Sequence, residues 1–524
     1  MQSDYDAIIV GAGINSLACA VHLGAKGWRV GVFEQAAVPG GAVKTLELTE
    51  SGFRHDWAAM NLSLFGGSGF FKAYGEDLVN RGLEFAPATH CFASVFDDGR
   101  WMGVSTGAGE TRARIAAFSE ADAKAWDRLC AEFPGTAEYV FALLGNPMQM
   151  HVQGKLLAKA LFRKRFAWTA DLVRMLLSSP RKWLSETFES EHVRATMAAW
   201  GMHLDFAPDM AGGAVFPYLE SMANQNFGMV IGKGGADTVT RALVSKIEAS
   251  GSAVHCGKRV ARVIRDGGRA TGVELADGSR IRANKAVIAN VAPGGLMSLL
   301  EGQSGDAGFD SKMTRFVHAP GTMMIHLALD GLPDWTASDE LKSFAYVHIA
   351  PSLDQMARTY QQAVAGLLPD EPVLVVGQPT TVDPSRAPDG KHVLWVQVRM
   401  VPGEIRGDAA GKIKETDWAR VKEIYAERAL DIIERHAPGI RQKITGRAVV
   451  SPLDLEADNP NLVGGDQVAG SHHLSQNFLF RPALGHATGK TPVEGLHITG
   501  ASVWPGAGTG AGAGYMLAQK LGGK

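Results

Sequence analysis

The chain has 524 residues, 46% apolar and 20% charged, which excludes a disordered chain, a fibre and a disulfide-stapled mini-protein. Its 52 basic and 54 acidic side chains leave a formal net charge of −2, so no global field draws it to nucleic acid. At roughly 150 residues per domain, the length allows about three domain-equivalents or two large ones. The four cysteines (Cys19, Cys91, Cys130, Cys256) form no Cys-x-x-Cys pair. Dithiol redox chemistry and a cysteine zinc site are therefore disfavoured, no metal is expected, and the usage suits a reducing cytoplasm. No stretch approaches the ~18–20 apolar residues of a membrane span. A strand-like run from Tyr5 leaves no room for a signal peptide.

Residues 6–10 read as a buried parallel strand. Gly11-Ala12-Gly13-Ile14-Asn15-Ser16 follows at once, then a helix over 17–26 and a second strand over 28–33 that ends at Glu34. This is a βαβ unit of dinucleotide-binding type. Gly11 permits the tight turn, and Gly13 lets backbone approach a pyrophosphate. The helix start offers Ile14, Asn15 and Ser16 N–H groups to the phosphates. Ser16 stands where the motif has its third glycine, and a small side chain keeps the helix close to the strand. Glu34 is placed to accept ribose hydroxyl protons, with Gln35 beside it. Gly40-Gly41 follows at the spacing that FAD enzymes have after this glutamate.

Glycine is 62 of 524 residues, above the usual ~7%, and two further clusters matter. From 228 to 235 a glycine-rich stretch leads into a helix over 236–250. Short strands follow over 253–256, 259–265 and 270–275, with a turn at Asp277-Gly278. Residues 285–290 then read as a buried strand. In FAD folds such a segment brings the backbone at Val260 to the adenine and returns Asn290 to the main sheet. At the other end, a strand near 495–499 leads through Gly500, Ala501 and Trp504 to Gly508, Thr509, Gly510 and Ala511, then a helix to Leu521. A glycine-rich turn into a helix presents N–H groups to a negative group, here the edge of a reduced flavin.

On these pieces the chain resembles the phytoene-desaturase-like FAD-dependent oxidoreductases, within the wider amine oxidase group. Segments 379–392 and 464–482 are also similar to relatives named pyridine nucleotide-disulfide oxidoreductase domain-containing proteins. Ala42, where carotenoid desaturases have arginine, and Val503-Trp504-Pro505 depart from the desaturase pattern. The resemblance implies an α/β fold. A Rossmann-like, glutathione-reductase-type FAD-binding domain would be built from segments 1–85, 226–299 and 446–524. An interleaved α+β substrate-binding domain would take 86–225 and 300–445, with strands over 322–329 and 393–398 and a helix over 415–436. The expected reaction is desaturation or dehydrogenation of an apolar, isoprenoid or lipid-like substrate, with hydride passing to flavin N5. Oxygen, a quinone or a carrier would take the electrons. Two rivals remain: an amine oxidase of the same fold, and a binding or regulatory protein that keeps FAD for stability.

C=C formation also releases a proton, so a base is expected. His55 and Asp56, just past the second glycine motif, are the candidates; the alternative is that they hold the cofactor or a turn. His472, His473 and His486 are further candidates. Trp504 is expected to shape the substrate pocket or simply to pack. Segment 155–183 has eight basic residues against one acid, Asp171, interleaved with leucine, phenylalanine and tryptophan. It reads either as a surface helix or as a helix lying on an anionic membrane, which would make a cytoplasmic protein membrane-associated.

Overall fold

The computed structural model describes residues 5–523. Its first sheet is built on the strands Tyr5–Val10 and Val30–Phe33, which pair in parallel. Arg280–Ala289, Leu496–Ile498 and Ala253–His255 extend the parallel part in the order Leu496–Ile498, Arg280–Ala289, Tyr5–Val10, Val30–Phe33, Ala253–His255. The start of Arg280–Ala289 also closes an antiparallel meander with Arg269–Leu275 and Val260–Asp266. One strand thus serves two arrangements. Its last four residues are buried among parallel neighbours, while its first half alternates toward solvent.

The helix Ile14–Ala25 is buried along its first ten residues, because helices Asp237–Ala249 and Gly512–Gly522 pack on it as well as the sheet. Such contact needs small residues. A Cβ on Gly514 would stand 1.9 Å from the Asn15 carbonyl oxygen. The first and last helices therefore meet backbone to backbone.

The second sheet has seven strands. In order they are Ile444–Val450, Gly321–Leu329, His392–Val401, Val373–Gly377, Tyr346–Ile349, His90–Val95 and Trp101–Ser105. Strand alternation divides its two faces. On His392–Val401, Leu394, Val396 and Val398 pack with the helix Trp418–His436, while Trp395, Gln397 and Arg399 point into a cavity between the two sheets. Helices Glu120–Leu144, Glu191–Ala198 and Val215–Phe227 cover that second face. Ile444–Val450 belongs to this sheet, so the sheet takes chain beyond residue 445.

A buried ion cluster ties the two halves. Arg386 is fully buried and donates to Asp56 at 2.8 Å, to Asp383 at 3.0 Å and to the Gly232 carbonyl at 2.6 Å. Asp56 also accepts from Thr45 Oγ1 at 2.7 Å and from the Ala236 N–H at 2.8 Å. A guanidinium is suited to this, because its planar fork spreads one charge over several acceptors. Removing one partner of such a set strands the others in a dry interior. Arg386→Met should cost about 3–5 kcal/mol in urea unfolding. The triple change Asp56→Asn, Asp383→Asn, Arg386→Met should recover most of that loss; equal losses in both variants would refute the account.

Candidate functional site

A cavity of about 1540 Å³ runs between the sheets. It exceeds the ~300–1,000 Å³ of ordinary small-molecule pockets, so it has room for a dinucleotide and a second molecule. The structure brings nearly all the expected cofactor residues to its wall. Gly11, Gly13, Ile14 and Asn15 line it from the first turn, and Glu34, Gln35, Gly40 and Gly41 from the loops that follow. Val260, Asn290 and Ala501 line it from the meander and strand ends; Gly508, Thr509, Gly510 and Ala511 line it from the C-terminal turn.

Ser16 and Gly500 stand just behind the wall, and both act through Asn290. The Asn290 amide donates to Ser16 Oγ at 2.8 Å. Gly500 has φ +109°, and a Cβ there would stand 2.1 Å from Asn290 Oδ1. Cβ atoms on Gly11 and Gly13 would also approach Asn290, to 3.3 and 3.2 Å. Asn461 closes the group from outside: its amide donates to the Asn290 carbonyl at 3.2 Å, and its Oδ1 accepts from the Ala292 N–H at 2.7 Å.

The donor set is that of a cleft for an anionic dinucleotide. At the start of Ile14–Ala25, first-turn N–H groups have no helical acceptor. At the C-terminal turn, bare chain at Gly508 (φ +129°) and Gly510 packs on Leu64, and Ala511 has the left-handed conformation that opens Gly512–Gly522. Glu34 accepts from the Ala12 and Ala36 N–H groups at 2.7 and 2.8 Å, which fixes its carboxylate at the rim.

A model of the flavin containing amine oxidoreductases matches residues 17–427. The chain belongs to that family. It is an FAD-dependent oxidoreductase, and the cleft just described fits the cofactor: glycines stand where a Cβ would close it, and unspent N–H groups stand where its phosphates need donors. The rat pyridine nucleotide-disulfide oxidoreductase domain-containing protein 2 is 26% identical over 99% of this chain and 93% of its own. The neurosporene-forming phytoene desaturase of Cereibacter sphaeroides is 25% identical over 97% of this chain and 92% of its own. An oxidoreductase structure from Methanosarcina mazei superposes with a TM-score of 0.63 at 18% identity, covering 98% of this chain and 99% of that one, and so shares the fold.

Three expectations for this flavoenzyme need correction. His55 and Asp56 do not line the cavity. They lie on the hairpin of Thr45–Glu47 and Arg54–Asp56, which turns both side chains into the protein. His55 bonds Thr49 Oγ1 at 2.8 Å and packs edge-on against His326; burial and then the Arg386 charge push its imidazole down to about 4. Asp56 is spent on Arg386, Thr45 and Ala236. Neither can receive a substrate proton; they hold the loop behind the cofactor cleft. Trp504 also stands off the cavity. It stacks on Phe478 at 5.3 Å, and its indole N–H donates to the Asn146 carbonyl at 3.0 Å. It braces the Gly145-Asn146 turn, which does form wall.

Of the other candidate bases, His472 lines the cavity and His473 and His486 do not. Its Nε2 accepts from the Ala507 N–H at 3.1 Å, fixing the glycine turn. His473 bonds Tyr360 and Asp205, and His486 donates to the Lys490 carbonyl. Sequence reading missed several wall residues. Lys44 is buried and paired with Asp458 at 2.5 Å. Arg399 is buried and donates to the Met202 and His203 carbonyls; burial brings its guanidinium down to about 10. Glu220 lines the cavity from the helix Val215–Phe227. An in-phase apolar stripe around Glu220 was the signal that could have found it.

If Asn290 is the hinge of the cleft, crowding it should empty the site. Gly500→Ala should weaken FAD at least tenfold, or about 1.4 kcal/mol, in a flavin fluorescence titration. Ser16→Gly, which restores the commoner residue, should stay close to wild type. Tight FAD binding by Gly500→Ala would show that Asn290 has another place to go.

Proposed function

We propose that this flavoenzyme dehydrogenates an apolar, isoprenoid or lipid-like molecule. The observation that carries this is the cavity wall beyond the nucleotide residues. There Phe216, Leu219, Ala223 and Phe227 of one helix face Met60, Tyr346 and Trp395 of the second sheet side. An oily wall desolvates an apolar chain and gives it few polar anchors.

In this reading the start of Ile14–Ala25 would hold the pyrophosphate of FAD, Glu34 its ribose and Val260 its adenine. The bound flavin supplies a two-electron oxidant that takes hydride at N5. The protein's own work is positioning and dryness. Gly506, Gly508 and Gly510 let the chain come close, His472 holds their turn, and the buried Arg399 adds positive potential without a free N–H. We assign reoxidation to oxygen, a quinone or a carrier protein; flavin recovery in air or with a soluble quinone separates these.

The same reading assigns the entrance. Phe227 (70% exposed) and Phe141 both line the cavity and reach solvent. Phe141 belongs to Glu120–Leu144, which packs against Met150–Leu177 through Tyr139 on Trp168 and Lys159 on Glu138. That second helix bends at Arg165 and exposes Phe162 (89%) and Phe166 (77%). Lys155, Arg163 and Arg165 beside them make no ion pair among the described residues. No helix of the described residues is long and apolar enough to cross a membrane. The hairpin instead suits a helix resting on an anionic leaflet, where each basic side chain contributes about 1 kcal/mol.

Two experiments test the proposal. FAD-loaded protein is mixed anaerobically with phytoene in micelles, with other terpenoids and lipids, and with putrescine and cyclohexylamine. Bleaching of the flavin by an apolar compound supports the reading. Bleaching by amines alone turns it into an amine oxidase, and bleaching by none leaves a protein that carries FAD without turnover. Separately, vesicles of phosphatidylglycerol should sediment the protein at low salt and release it as salt rises. Phe162→Glu with Arg163→Glu and Arg165→Glu should abolish sedimentation; undiminished pelleting refutes the membrane surface.

A further inference from the structure

Helix Val215–Phe227 turns one stripe toward the cavity: Phe216, Leu219, Glu220, Ala223, Asn224 and Phe227. The spacings of three and four mark a single helical face. Glu220 is its only charged member. The cavity has two other acidic side chains, and both are engaged. Glu34 accepts two backbone N–H groups, and Asp458 is paired with Lys44. The histidines are committed as well. His472 accepts an N–H at Nε2, so its other nitrogen carries the proton. His203 lies 3.2 Å from His348, nitrogen to nitrogen. The Glu220 carboxylate has no hydrogen bond or ion pair among the described residues.

A half-buried carboxylate on an apolar cavity wall, without a partner, is expected where it does chemistry. Burial alone pushes the Glu220 carboxyl up to about 7, the range in which a base exchanges protons at neutral pH. Its neighbours link it to the glycine turn. The phenol of Tyr346 is pushed up by burial and then by the charges of Asp56 and Glu220, while the neighbouring backbone of Asn61 draws it down. The Asn61 carbonyl in turn accepts from Thr509 Oγ1 at 3.4 Å. The Tyr346 ring lies 5.8 Å from Trp395 and 6.1 Å from Trp200, so this end of the cavity is walled by aromatic faces.

We infer that Glu220 is the proton acceptor of the dehydrogenation, and this rests on the apolar-substrate reading above. One C–H bond gives up its hydrogen with both electrons to the flavin. The adjacent C–H bond breaks toward Glu220: the proton goes to the carboxylate, and the electron pair left behind closes the C=C bond. The substrate loses two hydrogens and two electrons, the hydride would be taken up by bound FAD as the two-electron oxidant, and Glu220 becomes the neutral acid until it releases the proton. The aromatic and aliphatic wall around the carboxylate keeps water from competing for the cationic carbon that hydride loss leaves.

The test compares FAD-loaded wild type, Glu220→Gln and Glu220→Asp at matched visible spectra. The other titratable groups of this wall, His203, Tyr346, Arg399 and His472, are unchanged in all three. Infrared titration should show a carboxylic C=O band that disappears between acid and alkaline pH near neutrality in wild type and is missing in Glu220→Gln. With phytoene, Glu220→Gln should reduce its flavin 10²- to 10⁴-fold more slowly, with phytoene quenching of tryptophan fluorescence unchanged, and Glu220→Asp should recover part of the rate. Equal reduction rates in wild type and Glu220→Gln overturn the inference. If neither phytoene nor any other apolar compound reduces wild type, the apolar-substrate reading fails. The infrared band then decides alone: its presence keeps Glu220 as a proton acceptor for another substrate class, and its absence overturns the assignment.

Discussion

The structure depends on how closely backbone can approach Asn290. This one residue, through side chain and backbone together, receives the first glycine turn, the end of the long strand Arg280–Ala289, the C-terminal turn at Gly500 and the clamp of Asn461. Its backbone N–H also pairs with the Val10 carbonyl at 3.0 Å, which registers it on the sheet. A methyl group on any of three glycines would press on it. Residues hundreds of positions apart are therefore held small by a common neighbour. The serine at position 16 is part of the same logic. It keeps the close packing that a glycine would give, and its hydroxyl accepts the Asn290 amide hydrogen at 2.8 Å.

Charged side chains drawn away from bulk water meet two different fates in this fold. Arg386 sits among two carboxylates and a carbonyl, so its desolvation is offset by several short contacts, and it acts as a rivet between the halves. Glu220 sits among phenylalanine, leucine and alanine with no contact to offset anything. Coulomb attraction and hydrogen bonding explain why the first stays charged and inert. The absence of both explains why the second is poised between its two forms. The same fold thus makes one charged side chain a fixed brace and leaves another to carry a proton, and partners decide which is which.

That contrast also explains what the sequence revealed. The βαβ unit and the glycine clusters were legible because their geometry is local: a turn, a helix start and an acid at fixed spacing define the cleft whatever surrounds them. The strands over 322–329 and 393–398 were legible from their apolar runs and fall within Gly321–Leu329 and His392–Val401. His55 and Asp56 misled because nearness in sequence to Gly41 was taken for nearness to the flavin. A two-stranded hairpin covered on both faces reverses that: His55 packs on His326 and Asp56 binds Arg386 and the Ala236 N–H, both away from the cavity. Trp504 misled in the same way by one residue, because Pro505 beside it does line the cavity. Glu220 escaped because its partners on the wall come from strands and loops more than a hundred residues away. Its helix alone shows an acid in an apolar stripe, and only the tertiary fold turns that stripe toward a cavity.

If the substrate is apolar, as proposed above, the cavity and the exposed hairpin form one device. An apolar substrate leaves its solvent at considerable cost unless the path is apolar throughout, about 25 cal/mol for each Å² that meets water. Phe141 and Phe227 sit where the cavity opens, and Glu120–Leu144 joins that opening to the helix that carries Phe162 and Phe166. Basic side chains interleaved with those rings would hold the opening against an anionic surface, while the rings themselves enter the acyl boundary. A mouth kept in contact with lipid would also keep bulk water out of the chamber behind it. The chemistry needs that dryness: a carboxylate that titrates near neutrality does so only while it is poorly solvated. On the proposed apolar-substrate reading, substrate entry and the basicity of Glu220 would therefore draw on the same property, an apolar passage from the surface to the glycine turn.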